Sequence, residues 1–235
     1  MQITMIGHST TLIEADGARI LTDPYFGTWG NPAYKRVAPP ARSREACSDV
    51  DLVLVSHNHW DHVDRQFLRA LPDNVPIVTP RWAKWMTQIS GAKHPIGLSP
   101  WKGQQFGQVT ITVVPALHPA LAGGFVIQVE GKCIYFAGDT YYGAFIAKIT
   151  RHCTVDVALM PVTTFRIPMT MGEKAAMCAV IDLAPRVVIP IHLGVQPRSP
   201  LLRTNHTPES FARRVKGAKL AAKVVLLKEG ESWSS

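Results

Sequence analysis

Residues 51 to 62 read Asp51-Leu52-Val53-Leu54-Val55-Ser56-His57-Asn58-His59-Trp60-Asp61-His62, an apolar run followed at once by three imidazoles and a carboxylate. Burying four such side chains without partners would cost several kcal/mol, so an ordinary core has no use for them. Imidazole nitrogens and carboxylate oxygens are ligands of first-row metal ions. The apolar run therefore predicts a buried strand, and the cluster at its end predicts a metal site.

The spacing within the cluster favours two metal ions over one. In an extended loop, residues two apart point the same way, so His57 and His59 can converge on one ion. Asp61 and His62 follow where the chain begins to turn and would face a neighbouring position. A single tetrahedral ion cannot easily use all four groups and still admit a substrate.

Three later apolar segments also end in polar side chains that could complete the site. His118 follows the run 113–117, Asp139 follows 136–138, and His192 follows 188–191. Ligands at the same ends of adjacent strands would line one edge of a sheet, where α/β active sites often lie. Asp139 is a carboxylate and could bridge both ions.

Hydrophobic patterns around these segments predict sheets with helices packed outside them. Residues 1–22 alternate as strands with a hairpin turn at Asp16-Gly17, and residues 23–49 form a long irregular loop. Further strands are predicted at 51–55, 75–79, 109–114, 125–129, 133–137, 156–160, 186–190 and 224–227. Helices are predicted at 64–71, 82–89, 171–183 and 208–216, the third capped by Thr170 with Glu173 and the fourth by Thr207 with Pro208. This order predicts an α/β fold in one domain, residues 1–235.

The amino-acid composition bears on the size of the core, the partners and the cellular location of the protein. The apolar fraction of 46% supports a sizeable core, and no apolar run approaches the ~20 residues needed to span a bilayer. Lysine and arginine number 25 against 17 aspartate and glutamate, and the formal net charge of +8 suits an anionic partner, although the basic residues are dispersed. The cysteines form no close pair and no secretory signal precedes the first strand, so we expect separate thiols in a cytoplasmic protein. They are Cys47, Cys133, Cys153 and Cys178.

Taken together, these motifs resemble those of the metallo-β-lactamase superfamily. The resemblance covers nearly the whole chain and is carried by His57-Asn58-His59-Trp60-Asp61-His62, Gly138-Asp139-Thr140 and Ile191-His192-Leu193-Gly194. Gly7-His8-Ser9 and Leu21-Thr22-Asp23-Pro24 further resemble two of its branches. These are the ascorbate-6-phosphate-lactonase-like and the N-acyl-phosphatidylethanolamine phospholipase D-like hydrolases. The resemblance implies a four-layer αββα sandwich with a dinuclear metal site at one edge.

The resemblance also implies how the ligands divide between two divalent ions. The first ion would be held by His57, His59 and His118, the second by Asp61, His62 and His192, with Asp139 bridging. Asp23 would support the ligand loop without touching metal, since such carboxylates orient ligand imidazoles. Zinc is the favoured ion, with manganese and iron as alternatives that the same ligand types suit.

These features favour a hydrolase that uses a metal-bound hydroxide on a small ester, lactone or phosphodiester. Asp61 could also orient the attacking water or accept its proton. His8 either faces the pocket or stabilises its turn, and His206 either acts on substrate as a proton donor or binding group or is a solvated loop residue.

Substrate choice is expected to come from the loops around the site. Segments 24–49, 163–171 and 196–206 combine aromatic and basic side chains, which favours a small anionic substrate. One alternative is a nuclease acting on RNA or DNA, although the chain is too compact to show the extra arms of such enzymes, and nucleic acid is not the favoured partner. Others are a non-catalytic metal-binding or sensing protein and a redox protein with iron. A homo-oligomer is compatible with the sequence.

Overall fold

The computed structural model describes residues 1–235, and its strands form two large sheets and one small one. In chain order the strands are β1 (Gln2–Gly7), β2 (Thr10–Ala15), β3 (Ala18–Thr22), β4 (Tyr34–Arg36), β5 (Leu52–Leu54), β6 (Ile77–Pro80), β7 (Ile96–Leu98), β8 (Gly103–Phe106), β9 (Val109–Pro115), β10 (Gly123–Val129), β11 (Lys132–Phe136), β12 (Val157–Pro161), β13 (Val187–Ile191), β14 (Val195–Pro197), β15 (Lys223–Val224) and β16 (Ser232–Ser234). The helices are α1 (Arg65–Ala70), α2 (Lys84–Ile89), α3 (Phe145–Ile149), α4 (Glu173–Leu183) and α5 (Pro208–Gly217).

Each large sheet has seven strands and joins antiparallel hairpins to parallel strands. The first has the order β16-β1-β2-β3-β5-β6-β7, and its parallel pairs begin at β3. The second has the order β15-β13-β12-β11-β10-β9-β8, and it is parallel from β15 to β11. Strands β4 and β14 form a separate antiparallel pair. Strands β3, β5, β9, β11 and β13 deliver the polar segments that follow them to one edge of the stacked sheets.

Three apolar layers hold these elements together as a four-layer αββα sandwich. A cluster of 22 buried residues fills the space between the two large sheets. A second cluster of 19 packs α3, α4 and α5 on the outer face of the second sheet, and a third of 14 packs α1 on the outer face of the first. Side chains of adjacent residues in a strand point to opposite faces of the sheet. Ile20, for example, lies in the central layer, and Leu21 lies in the layer under α1. The α/β sandwich expected from the sequence is confirmed.

Most predicted elements lie within a few residues of their predicted bounds, and two details are wrong. Helix α4 begins at Glu173 with Gly172 as its uncapped start, because Thr170 donates its hydroxyl hydrogen to the Thr163 carbonyl within the preceding loop. The last strand is not at 224–227. Strand β15 is only two residues long, and β16 closes the first sheet by placing Trp233 opposite Ile3. The Thr207 cap of α5 is confirmed as a capping box with Ser210.

The cysteines do not form the four separate thiols that the sequence predicts. Cys133 on β11 and Cys153 after α3 are joined in a disulfide, while Cys47 is buried and free and Cys178 is exposed and free. Sequence spacing could not reveal the pair because only the packing of α3 beside β11 brings the two residues together. No helix is long and apolar enough to cross a membrane.

Candidate metal centre

Four chain segments meet at one edge of the sandwich and bring the predicted ligands together. The segment after β5 carries the ligands at 57 to 62, and those after β9, β11 and β13 carry His118, Asp139 and His192. Their side-chain donor atoms form two adjoining groups, each within 4.8 Å. One group contains His57, His59, His118 and Asp139, and the other contains His8, Asp61, His62 and His192.

Asp139 lies between the two groups and contacts members of both. Its Oδ2 is 3.9 Å from the Nε2 atoms of His57 and of His118. On the other side, Oδ1 is 3.3 Å from His62 Nε2 and Oδ2 is 3.2 Å from His192 Nε2. This is the position that a carboxylate shared by two ions requires.

Charges within the buried cluster shift its pKa values in opposite directions. Burial, with the neighbouring His62, holds the pKa of His57 well below its usual range, and burial lowers the pKa of His118 to about 4. Burial also opposes charge on His62, but Asp139 and Asp23 outweigh it and raise the pKa of His62 well above normal. Burial likewise opposes charge on Asp139, yet His192 and His62 hold its pKa well below normal. His57 and His118 are thus neutral imidazoles, whereas His62 carries a positive charge beside the ionised carboxylate of Asp139.

A hydrogen-bond chain through Asp23 and Ser56 fixes the orientation of two ligand imidazoles. The buried Asp23 carboxylate accepts from the Ser56 amide at 2.7 Å, from the Ser56 hydroxyl at 2.6 Å and from His62 Nδ1 at 2.7 Å. Because the Ser56 hydroxyl hydrogen is used on Asp23, its oxygen accepts from His57 Nδ1 at 2.9 Å. Both imidazoles therefore carry hydrogen on Nδ1 and turn Nε2 towards the cluster.

His118 is oriented in the same sense by a different partner. Its Nδ1 donates to the carbonyl of Met169 at 3.1 Å, and a carbonyl can only accept. The lone pair of Nε2 then faces His59, whose Nδ1 is 3.2 Å away. Nothing in the sequence indicates the Met169 contact, since a backbone carbonyl leaves no residue-type signal.

The cluster fits a bound metal cation by the atoms it leaves without partners. The Nε2 atoms of His57 and His62 and Oδ1 of Asp139 are buried and make no hydrogen bond. Such atoms are costly unless a bound group satisfies them. Two ligands at Zn–N distances of 2.0–2.1 Å in a tetrahedron lie about 3.3 Å apart. The observed separations of 3.2 and 3.3 Å match that value.

His8 lies inside the second group, and its Nε2 faces the carboxylate of Asp61. Its Nδ1 accepts from the Gly194 amide at 3.2 Å, so the hydrogen of the neutral ring is on Nε2. That nitrogen is 3.3 Å from Asp61 Oδ2. Burial, with the nearby His192, lowers the pKa of His8 to about 3, so the ring is neutral. The carbonyl of His8 also accepts from the His192 amide at 3.0 Å, which supports a role in holding this turn together.

Close packing at this turn requires a glycine after the last histidine. His8 and His192 both adopt positive φ, at 60° and 64°. A Cβ at position 194 would lie 2.8 Å from the Cβ of His8 and 2.9 Å from its backbone nitrogen. Gly194 therefore allows its amide to reach His8, a contact that spans 186 residues of chain.

His206 is not brought to the cluster. Its Nδ1 is 3.0 Å from Glu173 Oε2 at the start of α4, and Arg214 of α5 binds the same carboxylate at 2.7 Å. The ring is 51% exposed and stands at the junction of the two helices. The structure thus gives His206 a packing contact and no position beside the metal groups.

A cavity of about 190 Å³ opens beside the two groups. It is lined by Tyr34, His59, Trp60, Asp61, Asp139, Phe165, Met169, His192 and Val195. A wider cleft of about 450 Å³ lies at the opposite edge of the sheets, around Asp16 and Asp51, and carries no histidine or cysteine. The smaller cavity is therefore the one where a substrate could meet the ligand cluster.

Comparisons with known proteins agree with this geometry. Residues 2–192 match the family model described as the beta-lactamase superfamily domain. The chain is 34% identical over 241 residues to a UPF0173 metal-dependent hydrolase of Pyrococcus abyssi, covering 98% of each chain. It is 32% identical to a UPF0173 metal-dependent hydrolase of Pelotomaculum thermopropionicum, covering 99% of each. Among solved structures it resembles Igni18, a metallo hydrolase of the archaeon Ignicoccus hospitalis, with a TM-score of 0.79 and 25% identity over 100% of this chain and 98% of the other.

Proposed function

The chain belongs to the metallo-β-lactamase superfamily and is a metal-dependent hydrolase, and on this premise we propose that it hydrolyses a small ester, lactone or phosphodiester at a dinuclear site. The first ion is assigned to His57, His59 and His118, the second to Asp61, His62 and His192, and Asp139 bridges them. The observation that carries the proposal is Asp139 in contact with both groups while buried ligand nitrogens lack partners.

The donor set favours zinc, with manganese and iron as alternatives. It consists of imidazole nitrogens and carboxylate oxygens without a thiolate, a combination that all three ions accept. When bound, two such ions lower the pKa of a shared water towards neutrality and polarise the oxygen of the bond to be cleaved.

The residues of the chain supply orientation and proton transfer. Burial opposes ionisation of Asp61, but the hydrogen bond from His8 and the charge of His62 outweigh it and hold the pKa of Asp61 below its usual value. Asp61 is thus a carboxylate at neutral pH and can orient the attacking water and accept its proton. Asp23 and Ser56 keep the imidazoles of His57 and His62 in the ligand orientation.

Metal content and activity, measured on the same preparations, test the proposal. We expect about two divalent ions per chain by elemental analysis, and loss of hydrolysis in Asp61→Ala and in His59→Ala. His94→Ala, which changes an exposed histidine outside the cluster, is the matched control and should keep both metal and activity. The screen uses lactones, phosphodiesters and β-lactams with each candidate ion. A metal-free protein that remains active would contradict the assignment.

A further inference from the structure

Apart from the ligand residues, the cavity beside the two ligand groups is lined by apolar and aromatic side chains. Four of its nine lining residues belong to the ligand cluster, and the other five are apolar or aromatic. These five, which we call the apolar wall, are Tyr34, Trp60, Phe165, Met169 and Val195. No lysine or arginine lines the cavity, although the surrounding loops are rich in both.

Four of the six arginines in these loops hold the loops together. Arg36 donates to the carbonyls of Ala38, Tyr25 and Gly27 at 2.7 to 3.0 Å, and its guanidinium lies 4.3 Å from the centre of the Tyr25 ring. Arg44 pairs with the carboxylate of Asp64.

The cations of the 196–206 segment are engaged in the same way. Arg198 donates to the Asn31 carbonyl, and Arg203 donates to the carbonyls of Pro197 and Arg198. Lys35 is next to Tyr34 on β4, so its side chain points to the opposite face of that strand. None of these basic side chains lines the cavity, so they do not provide the cation that binding of an anionic group inside it would need.

Contacts behind the apolar wall hold it in place before any substrate binds. The rings of Tyr34 and Phe165 pack against each other with centroids 5.3 Å apart. Trp60 packs edge-on against Tyr25 at 5.6 Å. The backbone of Met169 is fixed on both sides, its amide donating to the Thr164 hydroxyl at 3.0 Å and its carbonyl accepting from His118. A wall that is formed in advance does not spend binding energy on its own ordering.

The volume of the cavity sets the size of the group that it admits. An apolar cavity of about 150 Å³ is enough to bind benzene. The cavity here measures about 190 Å³ including the space between the ligand residues, so beside them it has room for at most one group of phenyl size. A charged group held against the five apolar residues would lose its hydration there, because no lysine or arginine lines the cavity.

We propose that the apolar wall is the specificity site and takes a neutral aryl-sized group adjoining the bond that is hydrolysed. This inference rests on the proposed hydrolase function and narrows its substrate class. For a carboxylic ester, the oxygen of water bonds to the acyl carbon and the acyl–oxygen bond breaks. The electron pair of that bond leaves with the alcohol oxygen, which takes a proton, so that an acid and an alcohol are formed.

Three methyl esters test the proposal on the metal-loaded wild-type protein. Methyl phenylacetate is the neutral aryl substrate, methyl 4-carboxyphenylacetate places a charge where the wall would lie, and methyl acetate lacks the ring. We expect kcat/KM for methyl phenylacetate to exceed the other two at least about tenfold, the lower end of what one apolar contact contributes to discrimination. Equal turnover of the three, or a preference for the carboxylated ester, would overturn the proposal.

A pair of variants attributes the preference to the wall. In Phe165→Ala the ratio of kcat/KM for methyl phenylacetate to that for methyl acetate should fall about tenfold. Trp29→Ala removes an aromatic side chain that is 82% exposed and does not line the cavity, so the ratio should be unchanged. An unchanged ratio in Phe165→Ala, with metal content intact, would contradict a role for the wall. The wild-type comparison decides independently if that variant does not fold.

Binding measured without turnover separates this proposal from the hydrolase assignment. Saturation-transfer NMR with benzyl alcohol should show ring contact in the metal-loaded wild type, lost in Phe165→Ala and retained in Trp29→Ala. If none of the esters is hydrolysed but the NMR contact is present, the assigned bond type fails and the wall stands. If the NMR contact is absent, the wall proposal fails whatever the activity.

Discussion

Replacing Asp23 by asparagine should weaken metal binding although Asp23 belongs to neither ligand group. The carboxylate is completely buried and accepts three hydrogen bonds of 2.6 to 2.7 Å, two from Ser56 and one from His62. An amide of the same shape has one acceptor oxygen and one donor nitrogen. Whichever way the amide is turned, its NH₂ group faces an N–H or O–H hydrogen that was hydrogen-bonded to the carboxylate.

The substitution affects the metal site because it changes which ring nitrogen of His62 carries the hydrogen. If the NH₂ group faces His62 Nδ1, that nitrogen must give up its hydrogen, and the hydrogen moves to Nε2, where the lone pair was needed. Loss of such an orienting partner typically lowers metal affinity about 10- to 100-fold. One lost hydrogen bond to a charged group also costs about 1.5–3 kcal/mol of folding free energy. At roughly 2–4 °C per kcal/mol for a chain of this size, Tm should fall by about 3 to 12 °C.

The assay is a calorimetric titration of metal-free protein with Zn²⁺, together with thermal unfolding. Asp51→Asn is the matched control, because Asp51 accepts a backbone hydrogen bond from Arg19 at 2.8 Å at the opposite end of β5. That variant should keep the wild-type metal affinity. If Asp23→Asn binds two ions as tightly as the wild type, the reasoning that Asp23 fixes the ligand tautomers is refuted.

Three further outcomes follow from the same structure. His8→Ala removes the imidazole that contacts Asp61 at 3.3 Å and should weaken binding of the second ion about tenfold in a competition assay with a chromogenic chelator. An unchanged affinity would mean that this contact has no orienting effect. Adding EDTA to protein held at metal concentrations near 100 times Kd should remove about 2.7 kcal/mol of stabilisation, seen as a fall in Tm of about 5 to 10 °C that returning metal reverses. An unchanged Tm would mean that no ion was bound to the folded protein. Thr207→Ala removes the capping box of α5 and should cost about 0.5–2 kcal/mol in urea unfolding, with metal content unaffected; a loss of metal would show that the effect is not local.

Most of the central strands and the histidine cluster at 57–62 could be predicted from the sequence because both are local signals. The run 52–55 is apolar at every position, and the strand within it is buried on both faces between α1 and the second sheet. Likewise His57, His59 and His62 are close in sequence, so a short loop is enough to bring them together. The start of α4 was misplaced because Thr170 satisfies a loop carbonyl, a competing contact that the helix signal does not contain.

The sequence by itself indicated an α/β fold and a metal site, since hydrophobic period and ligand spacing act over a few residues, and its resemblance to a known superfamily implied the four-layer αββα sandwich. Only the tertiary structure decided which histidine nitrogen faces the metal groups, because that depends on partners as distant as the Met169 carbonyl and the Gly194 amide. It also decided that loop arginines bind carbonyls and leave the cavity apolar. The amino-acid composition gives the number of cationic side chains. The role of each one depends on the groups that pack beside it, and contacts between segments far apart in the chain decide which groups those are.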